Sequence, residues 1–176
     1  MQCRKALIDA GGDMEKAVII LQKQSKSIST KKLGRTLGSG IVASYIHGIG
    51  TSGSMVELLC ETDFVAKNEE FKTMARDIAM HVTAARPEFL KREDVDEESV
   101  KKAREVFAEE AKDKPENMKE GIIEGKLTSY FSERLLLDQP FVKDQNITIG
   151  AMIELAVQKF GERIEVGRFV RFGISR

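Results

Sequence analysis

Cysteine is scarce. Cys3 and Cys60 are the only two in 176 residues, and they lie too far apart to form the disulfide framework of a small secreted domain. Both are expected to be reduced and half-buried, in a cytoplasmic protein. Long apolar runs are missing too; none approaches the roughly 20 residues that a bilayer-spanning helix needs. Arg4 and Lys5 lead into a mixed polar run, where a signal peptide would carry an apolar stretch. Without a secretory route, Asn146-Ile147-Thr148 is a glycosylation sequon of no consequence. Net charge is absent: 28 Lys and Arg balance 28 Asp and Glu, which withholds the basic excess that general nucleic-acid binding requires. Aromatics make up only 6%, and no base-stacking platform stands out.

The usual marks of chemistry are lacking as well. Around Gly121, Gly125 and Lys126 the glycines and lysine are misplaced for a phosphate-binding loop, and Leu127 stands where Ser or Thr is needed. Gly38-Ser39-Gly40-Ile41-Val42-Ala43 has the letters of a dinucleotide fingerprint. It runs into a strand, whereas that mechanism needs it to leave a strand and open a helix. His47, His81, Cys3 and Cys60 are the only imidazoles and thiols, and none are at ligand spacing, so no metal and no cofactor is expected. The carboxylates sit among lysines on helical faces, the pattern of a solvated, ion-paired surface. No catalytic residue is assigned.

The 41% of hydrophobic residues suffices for a core, and their spacing predicts an α+β chain. Residues 1–24 read as a small helical module: Cys3, Leu7 and Ala10 share one face, Gly11-Gly12 ends the first helix, and Ala17, Val18 and Leu21 form the next stripe. Residues 25–40, polar, basic and punctuated by glycine, read as a linker with some helix. Residues 41–176 form the core. Ile41 to His47 and Ser54 to Cys60 are strands joined by a glycine-rich loop. Phe71, Met74, Ala75, Ile78, Ala79 and Val82 make one apolar helical stripe, stopped at Pro87. A charged helix is expected over 94–113 and another from Pro115 to about Leu137. Thr148 caps a helix closed by Gly161, and Ile164 to Ile174 is a last strand. The whole predicts a three-stranded antiparallel sheet packed with helices.

Two features stand out. In Thr62-Asp63-Phe64-Val65, Thr62 or Asp63 could cap a helix while Phe64 fills the core. Phe64 lies seven residues before Phe71, so a helix reaching back would draw its ring into the stripe; a helix starting at Asp63 would leave it at a turn. His81 falls on the flank of the stripe, where a satisfied core histidine and an exposed contact residue are both open.

The chain resembles translation elongation factor Ts in these places and in the same order. Met1-Gln2-Cys3-Arg4-Lys5-Ala6-Leu7 and Gly12-Asp13-Met14-Glu15-Lys16-Ala17 are followed by Cys60-Glu61-Thr62-Asp63-Phe64-Val65-Ala66-Lys67-Asn68. Ile78-Ala79-Met80-His81-Val82, Pro87-Glu88-Phe89, Gln139-Pro140-Phe141-Val142 and Arg168-Phe169-Val170-Arg171-Phe172 complete the series. The resemblance implies a ubiquitin-associated-like N-terminal module and a guanine-nucleotide exchange factor, not an enzyme, whose partner is the GTPase elongation factor Tu. It implies that Asp63 and Phe64, within Thr62 to Val65, push in beside the partner's magnesium. Met1, Arg4 and His81 match further contact positions. Family members carry a helix before the residue matching Met1, so the module is expected to lack its first helix. Short members pair two copies of the chain, which implies a homodimer. Where some carry a cross-linking cysteine this sequence has Val170, so the pairing is expected to be non-covalent. No membrane and no direct nucleic-acid partner is implied. The alternative is an RNA-binding module using Lys26, Lys31, Lys32 and Arg35, which zero net charge disfavours.

Overall fold

A computed structural model describes residues 2–174. It opens with helices α1 (Gln2–Asp9) and α2 (Met14–Lys32), the second capped by the Asp13 carboxylate, which accepts from the Lys16 N–H. The apolar faces differ from those expected. Ala6 and Ala17 are buried at the α1–α2 contact, while Cys3 and Leu7 are exposed. The expectation that both thiols are half-buried fails in both directions, for Cys60 is fully buried.

The expected linker is helical through Lys32 and docked, leaving only residues 33–38 irregular. No glycine interrupts the chain between Asp13 and Gly34, and two polar side chains turn back onto the helix. The hydroxyls of Ser25 and Thr30 donate to the carbonyls of Leu21 and Lys26, 2.8 and 2.9 Å away. Ser25 also hydrogen-bonds Gln158 across the contact with α7, and Ile28 packs on the core.

Strands β1 (Ser39–His47) and β2 (Ser52–Cys60) form the expected hairpin. The glycine-rich sequence before Ile41 runs into β1, as the argument against a dinucleotide site required. After β2 come the one-turn helix α3 (Asp63–Ala66) and helix α4 (Glu69–Ala85). The Asn68 side chain caps α4, and Arg86 ends it in the left-handed region at φ 54°, just before Pro87. Its stripe of Phe71, Ala75, Ile78, Ala79 and Val82 lies against the face of the sheet formed by Val56, Leu58 and Cys60.

Helices α5 (Glu97–Glu110) and α6 (Glu116–Ser132) form a hairpin with its own small core of Ala111, Ile123, Leu127 and Phe131. Both are shorter than expected. Asp96 caps α5 through the Ser99 N–H and so fixes its start, leaving residues 92–94 in a single 3-10 turn. After α6 the backbone changes partners: the N–H groups of Leu136 and Leu137 donate to the carbonyls of Phe89 and Leu90. A small hairpin of β3 (Pro140–Phe141) and β4 (Asp144–Thr148) follows, which the sequence reading did not foresee.

Helix α7 (Ile149–Phe160), capped by Thr148 and closed by Gly161 at φ 73°, packs beside the sheet, and β5 (Ile164–Gly173) completes it. The order is β1-β2-β5, antiparallel throughout, so the chain is α+β with one three-stranded sheet. One face of that sheet holds the core. On the other, Val42, Ile46, Met55, Val170 and Phe172 are exposed. Pairing sets Val170 beside Met55, and Phe172 beside Gly53, which in turn pairs with Ile46.

Candidate functional site

Cys60 ends the central strand inside the core, and the next two residues turn the chain outward. Thr62 stands at the N-cap position of α3 with extended dihedrals, φ −126° and ψ 157°, but its side chain caps nothing. Its hydroxyl donates instead to Glu162 Oε1 at 2.6 Å. Asp63 does not cap α3 either: its carboxylate pairs with Lys67 Nζ at 2.6 Å, one helical turn on. That ammonium holds the Asp63 carboxyl below its ordinary pKa. The helix begins at Asp63, so the turn-borne fate of Phe64 prevails. The Phe64 side chain is 81% exposed, while its neighbours Val65 and Ala66 are 3% and 6% exposed and packed into the core. Two residues of the turn anchor it and two face solvent. A bare phenyl ring so exposed is unfavourable in an isolated chain, since covering it is worth about 1.5–3 kcal/mol.

The turn is gripped from the connection between α7 and β5. Glu162 Oε2 accepts from the N–H groups of Glu61 and Thr62, at 3.1 and 3.0 Å. In return, Glu61 Oε1 accepts from the Arg163 N–H at 2.5 Å, and the Arg35 guanidinium sits 3.2 Å away. These donors, the Arg163 N–H first, hold the Glu61 carboxyl below its usual range. Glu61, Glu162 and Arg163 were not singled out in the sequence, because residues a hundred positions apart carry no local signal of their pairing.

His81 is placed otherwise than on an exposed flank. It is fully buried. Its Nε2 lies 2.9 Å from Gln139 Oε1, and its Nδ1 accepts from the Val142 N–H at 3.3 Å. That pairing is satisfied by a neutral ring carrying its proton on Nε2, and burial lowers the His81 pKa accordingly. Gln139 donates onward from its amide nitrogen to the Glu133 carbonyl at 2.7 Å. The imidazole braces the segment leading into β3–β4, beside the ring of Phe141, and in the free chain it meets no solvent. Val142, above it, is exposed.

Arg4 is exposed on α1, and Met1 lies outside the described residues. Among the described residues, no hydrogen bond or ion pair joins Arg4 or His81 to Thr62, Asp63, Phe64 or Val65. The basic stretch proposed for RNA is partly occupied within the chain: Lys32 bonds the Gly161 carbonyl and Arg35 pairs with Glu61. Among the described residues, no group of three or more His, Cys, Asp and Glu is arranged to hold a metal, and no helix is long and apolar enough to cross a membrane.

Comparison with known proteins points one way. The family model described as elongation factor TS matches residues 20–176. The chain is 48% identical to elongation factor Ts of Carboxydothermus hydrogenoformans over an alignment covering 99% of this chain and 82% of the relative. It is 47% identical to elongation factor Ts of Thermosipho melanesiensis, covering 99% and 90%. To elongation factor Ts of Thermodesulfovibrio yellowstonii it is 46% identical, covering 100% and 88%. Matched by the family model over most of its length, and nearly half identical to several members along it, the chain belongs to the elongation factor Ts family.

Proposed function

We propose that this chain is a cytoplasmic guanine-nucleotide exchange factor that binds elongation factor Tu·GDP and speeds GDP release during translation elongation, with Phe64 as its wedge. The observation that carries this reading is the solvent-facing ring of Phe64 on a turn that Val65 and Ala66 lock into the core. A GTPase holds GDP through backbone amides, a lysine and a magnesium ion bridging phosphate and protein. An aromatic ring driven into the segment that positions the metal's ligands displaces them, and burial of the ring offsets the cost. Asp63 enters beside it, while Thr62, held by Glu162, and Val65, packed in the core, fix the turn on which it stands. The exchanger binds best to the nucleotide-free partner, and linkage requires GDP to weaken exchanger binding by the same factor. No bond is made or broken, so the function needs no catalytic residue. Met1, Arg4 and His81 are carried as further contacts, His81, buried in the free chain, acting through the segment it holds. The test is release of fluorescent GDP from elongation factor Tu, followed with and without this chain. Release at the unassisted rate refutes the reading.

The exposed face of the sheet belongs to the same proposal. Val42, Ile46, Met55, Val170 and Phe172 form an apolar surface that a second copy can cover about a two-fold axis, with the β5 edge beside it. With Val170 in the last strand the dimer is non-covalent. Light scattering at micromolar concentration is expected to give twice the 19.7 kDa chain mass, and Phe172→Asp to shift the particle toward monomer. A single chain-sized particle for the unaltered protein rules the dimer out.

A further inference from the structure

The exposed ring is useful only if the backbone beneath it is fixed, and α3 cannot fix itself. A four-residue helix is far below the length at which helices are stable alone. Its N-terminal residue lacks a side-chain cap, because the Thr62 hydroxyl is engaged with Glu162. The β-ladder gives out before the turn as well: its last pair is Cys60 with Ile164. Val65 and Ala66 anchor the far side of α3. On the near side, residues 61 and 62 are held by the carboxylate of Glu162, which receives three hydrogen bonds: two from backbone N–H groups and one from a hydroxyl.

Glu162 follows Gly161, whose positive φ ends α7 and directs the chain toward β5. The neighbouring residue completes a crossed pair, since the Glu61 carboxylate receives the Arg163 N–H while the Glu162 carboxylate receives the Glu61 N–H. Such reciprocal bonding restrains both translation and rotation of the two segments. Hydrogen bonds to an ionised acceptor are about twice as strong as neutral ones.

We infer that Glu162 is the positioning residue for the Phe64 wedge: by holding Glu61 and Thr62 it sets the direction in which the ring meets the partner. The inference rests on the exchange reading of Phe64. It differs from a merely structural role in what it makes non-additive. If Glu162 serves exchange only by aiming the ring, removing it matters while the ring is present and ceases to matter once the ring is gone.

The experiment measures fluorescent GDP release from elongation factor Tu as a function of exchanger concentration, using full-length variants. Glu162→Ala is expected to lower the maximal rate about five- to ten-fold, since small misplacements of a reacting geometry cost large factors. Glu162→Gln is expected to recover most of that loss, because its amide oxygen can take both N–H groups and its nitrogen can donate to Thr62 Oγ1. Thr62→Val, which removes only the hydroxyl, is expected to cost about two- to three-fold. Combined with Phe64→Ala, the Glu162→Ala and Thr62→Val changes are each expected to have almost no further effect. Equal losses with and without the ring overturn the proposal, as does an unchanged maximal rate in Glu162→Ala. If Glu162→Ala fails to fold, Thr62→Val with and without Phe64→Ala decides the matter on the same criterion. A Phe64→Ala protein that exchanges at the normal rate overturns the wedge reading and this inference together, whereas a slow Phe64→Ala beside a normal Glu162→Ala overturns this inference alone.

Discussion

Phe64→Ala is expected to slow assisted GDP release at least about ten-fold, equivalent to about 1.4 kcal/mol in the barrier, and to leave the melting temperature of the free chain unchanged. The two halves of this expectation come from the same fact. With 81% of its surface in solvent, the ring makes few contacts in the free chain, so truncation leaves no cavity. Most of what it can bury, it can bury only in a partner, and a large aromatic covered at an interface is the typical site of a binding hot spot. The ten-fold figure is the low end of the 1.5–3 kcal/mol that covering a phenylalanine side chain supplies. Asp63→Ala is expected to act in the same direction and more weakly, since its carboxylate is exposed and its ion pair with Lys67 is of the surface kind that contributes little to stability. Both variants are checked by the GDP-release assay and by thermal melting on the same preparations. A Phe64→Ala protein that melts early yet exchanges normally per folded molecule would assign the ring to the core and the wedge elsewhere.

The fate of Phe64 shows where a sequence stops being informative. Its distance from Phe71 suits a continuous helix, and Thr62-Asp63 suits a helix that starts late. The difference lies in Asn68, which caps α4, and in Glu162, which takes over the Thr62 hydroxyl. Asn68 is local and was there to be read. Glu162 is not, because its partner lies a hundred residues away. The strands β1, β2 and β5 and the helices α4 and α7 were legible for local reasons: one buried face each, at period two or at helical spacing, and caps at their ends. The β3–β4 hairpin was not legible, since a two-residue strand and the polar Asp144–Thr148 carry no alternation. The second half of helix α2 was not legible either, because a polar, lysine-rich stretch looks like a linker. The hydroxyls of Ser25 and Thr30 are satisfied by the helix itself or by α7, which the composition does not reveal.

His81→Ala is expected to destabilise the chain by about 2–4 kcal/mol, the range for truncating a buried side chain and orphaning its hydrogen-bond partners. The flank position suggested a surface contact, because a single stripe assumes a helix covered from one side. Helix α4 is covered from two. The sheet lies against Phe71, Ala75, Ile78 and Val82, and the segment from Gln139 to Val142 lies over His81. Removing the imidazole leaves Gln139 Oε1 and the Val142 N–H without their partner, besides opening a void next to Phe141. The same geometry sets a pH dependence. Burial lowers the pKa of His81 in the folded chain from its ordinary 6.5. The folded state therefore binds fewer protons than the unfolded state, and stability falls as the pH drops below about 6.5, until the folded-state pKa is passed. A protonated ring could no longer accept from Val142, so the loss is expected first in the β3–β4 hairpin. Urea unfolding of wild type and His81→Asn between pH 7.5 and 5.5 checks both points. The wild type is expected to lose stability across this range by more than the variant does, and the amide of Val142 to lose hydrogen-exchange protection early. Parallel pH profiles for the two proteins would show that His81 does not carry the dependence.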